Sequence, residues 1–285
     1  MKIGYCLGSY THETDPMGLR YLPLLAKHGY AYAELSLAGI AALSESEFEK
    51  LRQDLLAGGI PCETCNCFLP GSLRITGPDT DRSALQEYLA VALPRAEKLG
   101  VKVIVFGSAG AKNVPEGFSH ETAFAQIVEA LREVDGFITQ NNLSMQIAIE
   151  PLNKKESNII LNLRDGFALV QAVDRNTIQL LVDYYHFEAE GDTLHILREV
   201  SPDLIHVHVA TRATRAVPYT IEPEMDAFFN TLKEIGYTSR ISVEAIASNA
   251  EADIPAFAEA VKKHPFSTTA DISPNTLATD CRTRI

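Results

Sequence analysis

Four short apolar runs in this chain end in side chains that can hold a cation or move a proton. Residues 145–150 read Met-Gln-Ile-Ala-Ile-Glu and close on Glu150. Residues 178–183 close on Asp183, and 241–244 close on Glu244. Between the last two, 204–209 read Leu-Ile-His-Val-His-Val, which puts His206 and His208 on one face of an extended chain. A single Glu after a strand is ordinarily a helix cap or a solvated loop residue. Three carboxylates gathered with an imidazole are different, because the carboxylates repel one another and resist ionisation. A divalent cation among them removes that penalty. Carboxylate oxygens with one imidazole suit Mn²⁺, Mg²⁺ or Co²⁺ better than a thiol-rich zinc site does. The expected ligands are therefore Glu150, Asp183, His208 and Glu244. His208 is preferred to His206 because it lies nearer the end of its run, and His206 is read as a hydrogen-bonded interior histidine. His186, three residues past Asp183, stays open between a site residue and a surface loop histidine.

These runs are half of a longer alternation. Further β-rich runs cover 2–7, 31–37, 60–69 and 101–108, and segments of helical spacing follow each run. Leu51, Leu55 and Leu56 form one such stripe; Leu85, Leu89, Ala92 and Ala96 form another, as do Ile127, Leu131 and Val134, and Phe228, Leu232 and Ile235. Gly29, Gly58–Gly59, Gly100 and Gly236 sit where helices should stop, and the neighbourhoods of Thr80–Asp81 and Ser119–Glu121 where helices should start. Eight strand–helix units predict an α/β fold, a closed (β/α)₈ TIM barrel forming a single domain over residues 1–264. An open doubly wound sheet is the runner-up, but Gly8-Ser9-Tyr10-Thr11 is no Gly-rich phosphate loop. In a barrel the active site lies at the C-terminal ends of the strands, so the four ligands would share one rim. Residues 265–285 are rich in Ser, Thr and Asp and have no period, so they are expected to be a disordered polar tail or an arm packed on a neighbouring subunit.

Charge and composition narrow the partners. The chain has 37 acidic and 25 basic residues, a formal charge of −12, which argues against nucleic acid and anionic membrane surfaces. It does not oppose a metal cation or a neutral small molecule. No run approaches the roughly 18 apolar residues of a membrane span. The opening MKIGYCLGSY lacks the apolar stretch of an export signal, and five cysteines are an odd number, so a cytoplasmic protein is expected. Cys62, Cys65 and Cys67 are read as structural thiols, with Cys62 expected to face away from the other two.

On these residues the chain resembles the xylose isomerase-like barrel superfamily, in its sugar phosphate isomerase/epimerase branch. It is nearest in pattern to the ketose 3-epimerases that act on tagatose, psicose and fructoselysine. The resemblance covers residues 1–264. It rests on Ile149-Glu150-Pro151-Leu152-Asn153 with Glu156-Ser157-Asn158, on Val182-Asp183 with His186, on His206-Val207-His208 and on Val243-Glu244. It implies one divalent metal, Mn²⁺ or Co²⁺, on Glu150, Asp183, His208 and Glu244, with Glu150 and Glu244 also acting as an acid/base pair. It implies that Glu156 hydrogen-bonds the substrate and that His186 binds its hydroxyl or carbonyl end. An Arg before Val-Pro does the same in the epimerases. Arg215 before Ala216-Val217-Pro218 is the match, though its spacing from His208 is one residue long and leaves Arg212 a rival.

The implied reaction is proton transfer next to a ketone through a metal-stabilised enediolate, as in ketose 3-epimerisation. The implied partner is a small sugar or sugar derivative, and the implied assembly a homo-dimer or tetramer. Two alternatives stay open. One is a lyase on the same site, a dehydratase or 3-oxo-glycoside-cleaving enzyme that in some relatives works with a hetero-partner. The other is a non-catalytic sugar-binding barrel. The loop 216–223 departs from the pattern in having no Gly-x-Gly. The DNA-repair branch is rejected, because the ends of strands three and four carry Cys67-Phe68 and Gly107-Ser108 rather than extra histidines. Sugar choice is assigned to candidates on the first four strands: Tyr5, Ser9, Glu34, Asn66, Cys67 and Ser108.

Overall fold

A computed structural model describes residues 1–247 and 249–264; the expectations for 265–285 lie outside the described residues. Eight parallel strands close into one barrel, with β8 paired back onto β1. They are β1 (Lys2–Cys6), β2 (Tyr32–Ser36), β3 (Cys62–Asn66), β4 (Val103–Phe106), β5 (Gln146–Ile149), β6 (Ile178–Asp183), β7 (Leu204–Val209) and β8 (Arg240–Val243). The helices between them are α1 (Leu22–His28), α2 (Leu37–Ala42), α3 (Glu45–Gly58), α4 (Arg82–Leu99), α5 (Ala109–Lys112), α6 (His120–Gln140), α7 (Leu163–Val173), α8 (Tyr184–Glu190), α9 (Leu194–Glu199), α10 (Pro223–Glu234) and α11 (Ala250–Lys262). Among the described residues no helix is long and apolar enough to cross a membrane.

Helix boundaries follow local chemistry. Ser44 and Glu47 close a capping box on α3, and Ser119 caps α6 by accepting from Thr122 N–H. Asp81, rather than Thr80, caps α4 by accepting from Ala84 N–H. The predicted stripes face the barrel with one exception. Leu51 and Leu55 are buried, but Leu56 is 79% exposed. It lies five residues from Leu51, about 140° round the helix, and so falls on the outer face.

Side chains alternate between the helix-covered outside and the barrel interior. Outward residues such as Ile104, Phe106, Ile147 and Ile149 join the large core under the helices. The interior holds a small apolar group, Val103, Val105, Ala148 and Leu181, on the β4–β6 side. Across from it, on β2, β3, β7 and β8, the interior is polar: Glu34, Thr64, His206, His208 and Ser242 are all fully buried. Gly4 makes room for this arrangement. A Cβ there would lie 2.1 Å from Cε2 of Tyr32, whose hydroxyl is 2.9 Å from Ser242 Oγ.

Two register shifts reset the alternation. In β3, Ala33 faces Cys62 but Glu34 faces Thr64, so one extra residue is accommodated. Cys62 therefore does not face away from Cys65, as strict alternation predicts; both lie in the outer core with their Sγ atoms 3.8 Å apart. Cys67 falls beyond the strand in a left-handed turn at φ 46° and is exposed. In β7, Leu180 faces Leu204 but Leu181 faces His206, which sets Asp183 opposite His208.

Candidate active site

Asp183 at the end of β6, His208 one residue before the end of β7, and Glu150 and Glu244 just past β5 and β8 converge at one end of the barrel. One donor atom each from Glu150, Asp183, His208 and Glu244 lies within 4.8 Å of the others. Three of them are nearly closed off, at 5%, 2% and 0% exposure for Glu150, Asp183 and His208. His208 Nδ1 lies 3.2 Å from Glu150 Oε1 and 3.5 Å from Glu244 Oε2. Asp183 Oδ1 accepts from Tyr185 N–H at 2.7 Å, while Oδ2 is buried without a hydrogen-bond partner. A lone carboxylate oxygen is costly to bury, and burial pushes the Asp183 carboxyl above its usual range. An orphaned oxygen beside two more carboxylates and an imidazole is a donor set that fits a hard divalent cation.

Beneath this centre lies a group that strand endings do not disclose. Glu34 sits in mid-barrel on β2, with Oε1 2.9 Å from His208 Nε2 and Oε2 3.1 Å from His206 Nε2. Oε2 also accepts from Thr64 Oγ1 at 2.8 Å and Ser242 Oγ at 2.6 Å. Burial raises the Glu34 carboxyl, but the two imidazoles outweigh burial and hold it well below the usual range. Burial likewise opposes charge on His208, yet Glu34, Glu244 and Glu150 carry it well above the ordinary imidazole value. With Glu34 claiming Nε2–H, Nδ1 is the ring nitrogen left to the carboxylate cluster. This is the carboxylate–histidine arrangement that fixes tautomer and ring angle at metal sites. His206 is an interior histidine, as expected, and burial lowers it. The available signal for Glu34 was a carboxylate inside an otherwise apolar run.

His186 is buried rather than a surface loop histidine, at 2% exposure, and lies beside the carboxylate cluster. Its Nδ1 faces two N–H donors, Asn153 N at 3.2 Å and Asn153 Nδ2 at 2.8 Å. The amide orientation is set by Asn153 Oδ1, which accepts from Lys155 N–H at 3.0 Å. Nδ1 must then be an acceptor, and Nε2 carries the ring proton. That N–H is buried without a hydrogen-bond partner, 3.8 Å from Asp183 Oδ2 and 4.0 Å from Glu156 Oε2. It is a donor waiting for an acceptor.

Arg215 reaches this centre and Arg212 does not. Arg215 Nη1 donates to Glu156 Oε2 at 3.0 Å, and Nη2 to Glu244 Oε2 at 2.8 Å, with Asp183 Oδ2 at 3.7 Å. Its guanidinium lies 5.2 Å from the centroid of the Tyr185 ring. Arg212 instead pairs with Glu224 of α10 at 3.1 Å, where both side chains are exposed. Glu244 is further held by Asn66 Nδ2, 2.9 Å from Oε1, a role the sequence did not disclose. Of the other candidates for sugar choice, Tyr5 is corrected. It points outward, stacked on Tyr10 and edge-on to Tyr30 in the outer core. Ser108 Oγ is taken by Leu69 N–H at 3.0 Å.

The family described as the xylose isomerase-like TIM barrel matches residues 22–264. D-psicose 3-epimerase of Agrobacterium fabrum is 25% identical over 257 residues, covering 86% of this chain and 84% of that one. The 2-oxo-tetronate isomerase of Haemophilus influenzae is 23% identical over 229 residues, covering 80% of this chain and 83% of the other. Among solved structures, a D-psicose 3-epimerase crystallised in the presence of D-fructose superposes with a TM-score of 0.79 at 21% identity. That match covers 96% of this chain and 100% of the other, and it is a likeness of fold.

Proposed function

The chain belongs to the xylose isomerase-like TIM barrel family, and from that premise we propose that it is a divalent-metal-dependent sugar epimerase that inverts the carbon next to a ketone, with ketose 3-epimerisation as its reaction. The observation that carries this is the convergence of Glu150 and Glu244, from strands three apart, on one point with His208 and Asp183. Glu150, Asp183, His208 and Glu244 would hold Mn²⁺, with Co²⁺ or Mg²⁺ as substitutes. When bound, such a cation supplies Lewis-acid stabilisation of the negative charge that develops on the ketone oxygen.

The chain's own residues account for the rest. A proton beside a ketone is weakly acidic, and inversion requires removal from one face of the carbon and return to the other. Glu150 and Glu244 take those two faces, and either can act as base because the reaction runs in both directions. The His186 Nε2–H donates to a substrate oxygen, which satisfies the buried donor. Arg215 and Glu156 bind hydroxyls. Arg215 occupies Glu244 Oε2 in this structure and must turn to the substrate before that oxygen can move a proton. Incubation with Mn²⁺ and a panel of ketoses and 3-oxo-glycosides in D₂O tests the proposal. The expected product carries deuterium at the inverted carbon. Loss of a leaving group would establish the lyase instead, and no exchange with any sugar would overturn both.

Metal loading should release a proton. Both ring nitrogens of His208 face carboxylates, and the ring is held protonated well above its ordinary pKa. A cation on Nδ1 has to replace that proton. Mn²⁺ affinity is therefore expected to fall as pH is lowered, approaching about tenfold per unit below the elevated His208 pKa. Calorimetry in two buffers of different ionisation enthalpy should report about one proton released. Affinity independent of pH would remove His208 from the ligand set.

A further inference from the structure

Lys112 is a buried cation with no part in the chemistry above. It ends the short helix α5, and its side chain turns inward to 1% exposure. Its Nζ donates to Gly107 O and to Glu150 O, the latter at 3.4 Å, and lies 5.6 Å from the centroid of the Phe106 ring. The hydrogen-bond partners are backbone carbonyls at the ends of two neighbouring strands. The β4–β5 ladder runs up to Glu150 N–H, which donates to Phe106 O at 3.2 Å. One step further on, the ammonium bridges Gly107 O and Glu150 O. Burial pushes this amine down to about 8, against the opposing pull of the Glu150 and Glu156 carboxylates.

Gly107 supplies the second observation. A Cβ at this position would lie 2.2 Å from Glu150 Oε2. The Glu150 carboxylate therefore rests on the bare Cα of Gly107, the same residue whose carbonyl Lys112 holds. We propose that Lys112 and Gly107 form the seat of Glu150. Lys112 is a positioning residue that locks the strand ends on which the carboxylate rests, and its charge offsets carboxylate repulsion from outside the ligand set. The inference rests on the proposed role of Glu150 in the metal centre.

Mn²⁺ titrations of the metal-free protein by calorimetry, with thermal unfolding recorded alongside, test it. Lys112→Met is expected to weaken Mn²⁺ binding by about 10–100-fold, the usual loss when a group supporting a ligand is removed. Lys112→Arg, which keeps the charge and the donors, should restore most of it. Gly107→Ala, which crowds Oε2 and leaves Lys112 in place, should weaken binding as well. In a Glu150→Gln background Lys112→Met should add almost nothing, because both changes act through one carboxylate. Binding by Lys112→Met within about twofold of wild type, or a full additive loss in the Glu150→Gln background, overturns the proposal. If Lys112→Met does not fold, unweakened binding by Gly107→Ala overturns it. A wild-type protein that binds no Mn²⁺ overturns the metal centre itself and the seat with it.

Discussion

Glu244→Gln and Glu150→Gln are each expected to slow inversion by about 10³-fold, within the range ascribed to a positioned acid or base. In barrier terms this is about 4 kcal/mol. Either change removes the group that handles the proton on one face and leaves its counterpart on the other. Each single variant should therefore still wash deuterium into one epimer without inverting it, and the two variants should label opposite epimers. That signature separates a two-face mechanism from one base working on both faces. Since both residues are also proposed ligands, the measurement is made at saturating Mn²⁺, and metal occupancy is read separately. Gln at position 244 carries an added difficulty. Asn66 Nδ2 and an Arg215 amino group both donate to the native carboxylate, and an amide can accept from only one of them. Glu244→Gln should accordingly loosen Arg215 as well and raise KM more than Glu150→Gln does. Inversion by either variant within about tenfold of wild type, or the same epimer labelled by both, would sink the assignment.

What could be read from the sequence depended on whether a residue's partners lay near it in the chain. The eight strands were legible because short β-rich runs alternate with segments of helical spacing, and the four residues near the ends of the last four because Glu, Asp and His stand out against apolar runs. The candidate at 208 rather than 206 followed from position along a single run. Parity was less secure. One accommodated residue in β3 reversed the facing of Cys62, and no local feature of Cys-Glu-Thr-Cys announces it. The choice between Arg212 and Arg215 could not be made by counting. The loop folds back on itself, with Thr211 N–H donating to Ala216 O, and Arg215 takes a left-handed φ of 54°. Spacing along such a loop does not measure reach. Glu34 and Lys112 were the least legible. Glu34 is explained by His206 and His208, more than 170 residues away, and Lys112 by carbonyls that become neighbours only once β4 and β5 pair.

Removing Glu34 should cost more stability than any other single polar change in the barrel. Four groups converge on its two oxygens: His206 and His208 through Nε2, and the hydroxyls of Thr64 and Ser242. All four side chains and Glu34 itself are at 0% exposure. Glu34→Ala takes the carboxylate from the Nε2 side of the His208 imidazolium, leaving it Glu150 and Glu244 on the Nδ1 side, and leaves the remaining donors without that acceptor. Breaking a buried ion pair by deleting one partner costs about 3–5 kcal/mol, a large part of a typical total stability of about 5–15 kcal/mol. The carboxylate holds His208 charged and is itself held ionised. The stabilisation it gives the metal-free protein should therefore fade in two directions. It fades as pH falls through the depressed pKa of Glu34, and as pH rises through the elevated pKa of His208. The gap in stability between wild type and Glu34→Ala should thus be widest between the ordinary carboxylate and imidazole values of 4.5 and 6.5 and narrow on either side. Glu34→Gln separates the charge from the packing. It fills the same space with one acceptor end instead of two. With its NH₂ towards Thr64 and Ser242 those hydroxyls lose their acceptor, and with its NH₂ towards His208 it donates to Nε2 and no longer keeps a proton there. In either orientation the negative charge that holds His208 protonated is gone. Metal affinity should fall by about 10–100-fold in that variant even where the fold survives. Thermal unfolding of the metal-free proteins across pH, paired with Mn²⁺ titrations, measures both effects. A Glu34→Gln protein with native stability and native affinity would show that His208 holds its orientation without help from β2.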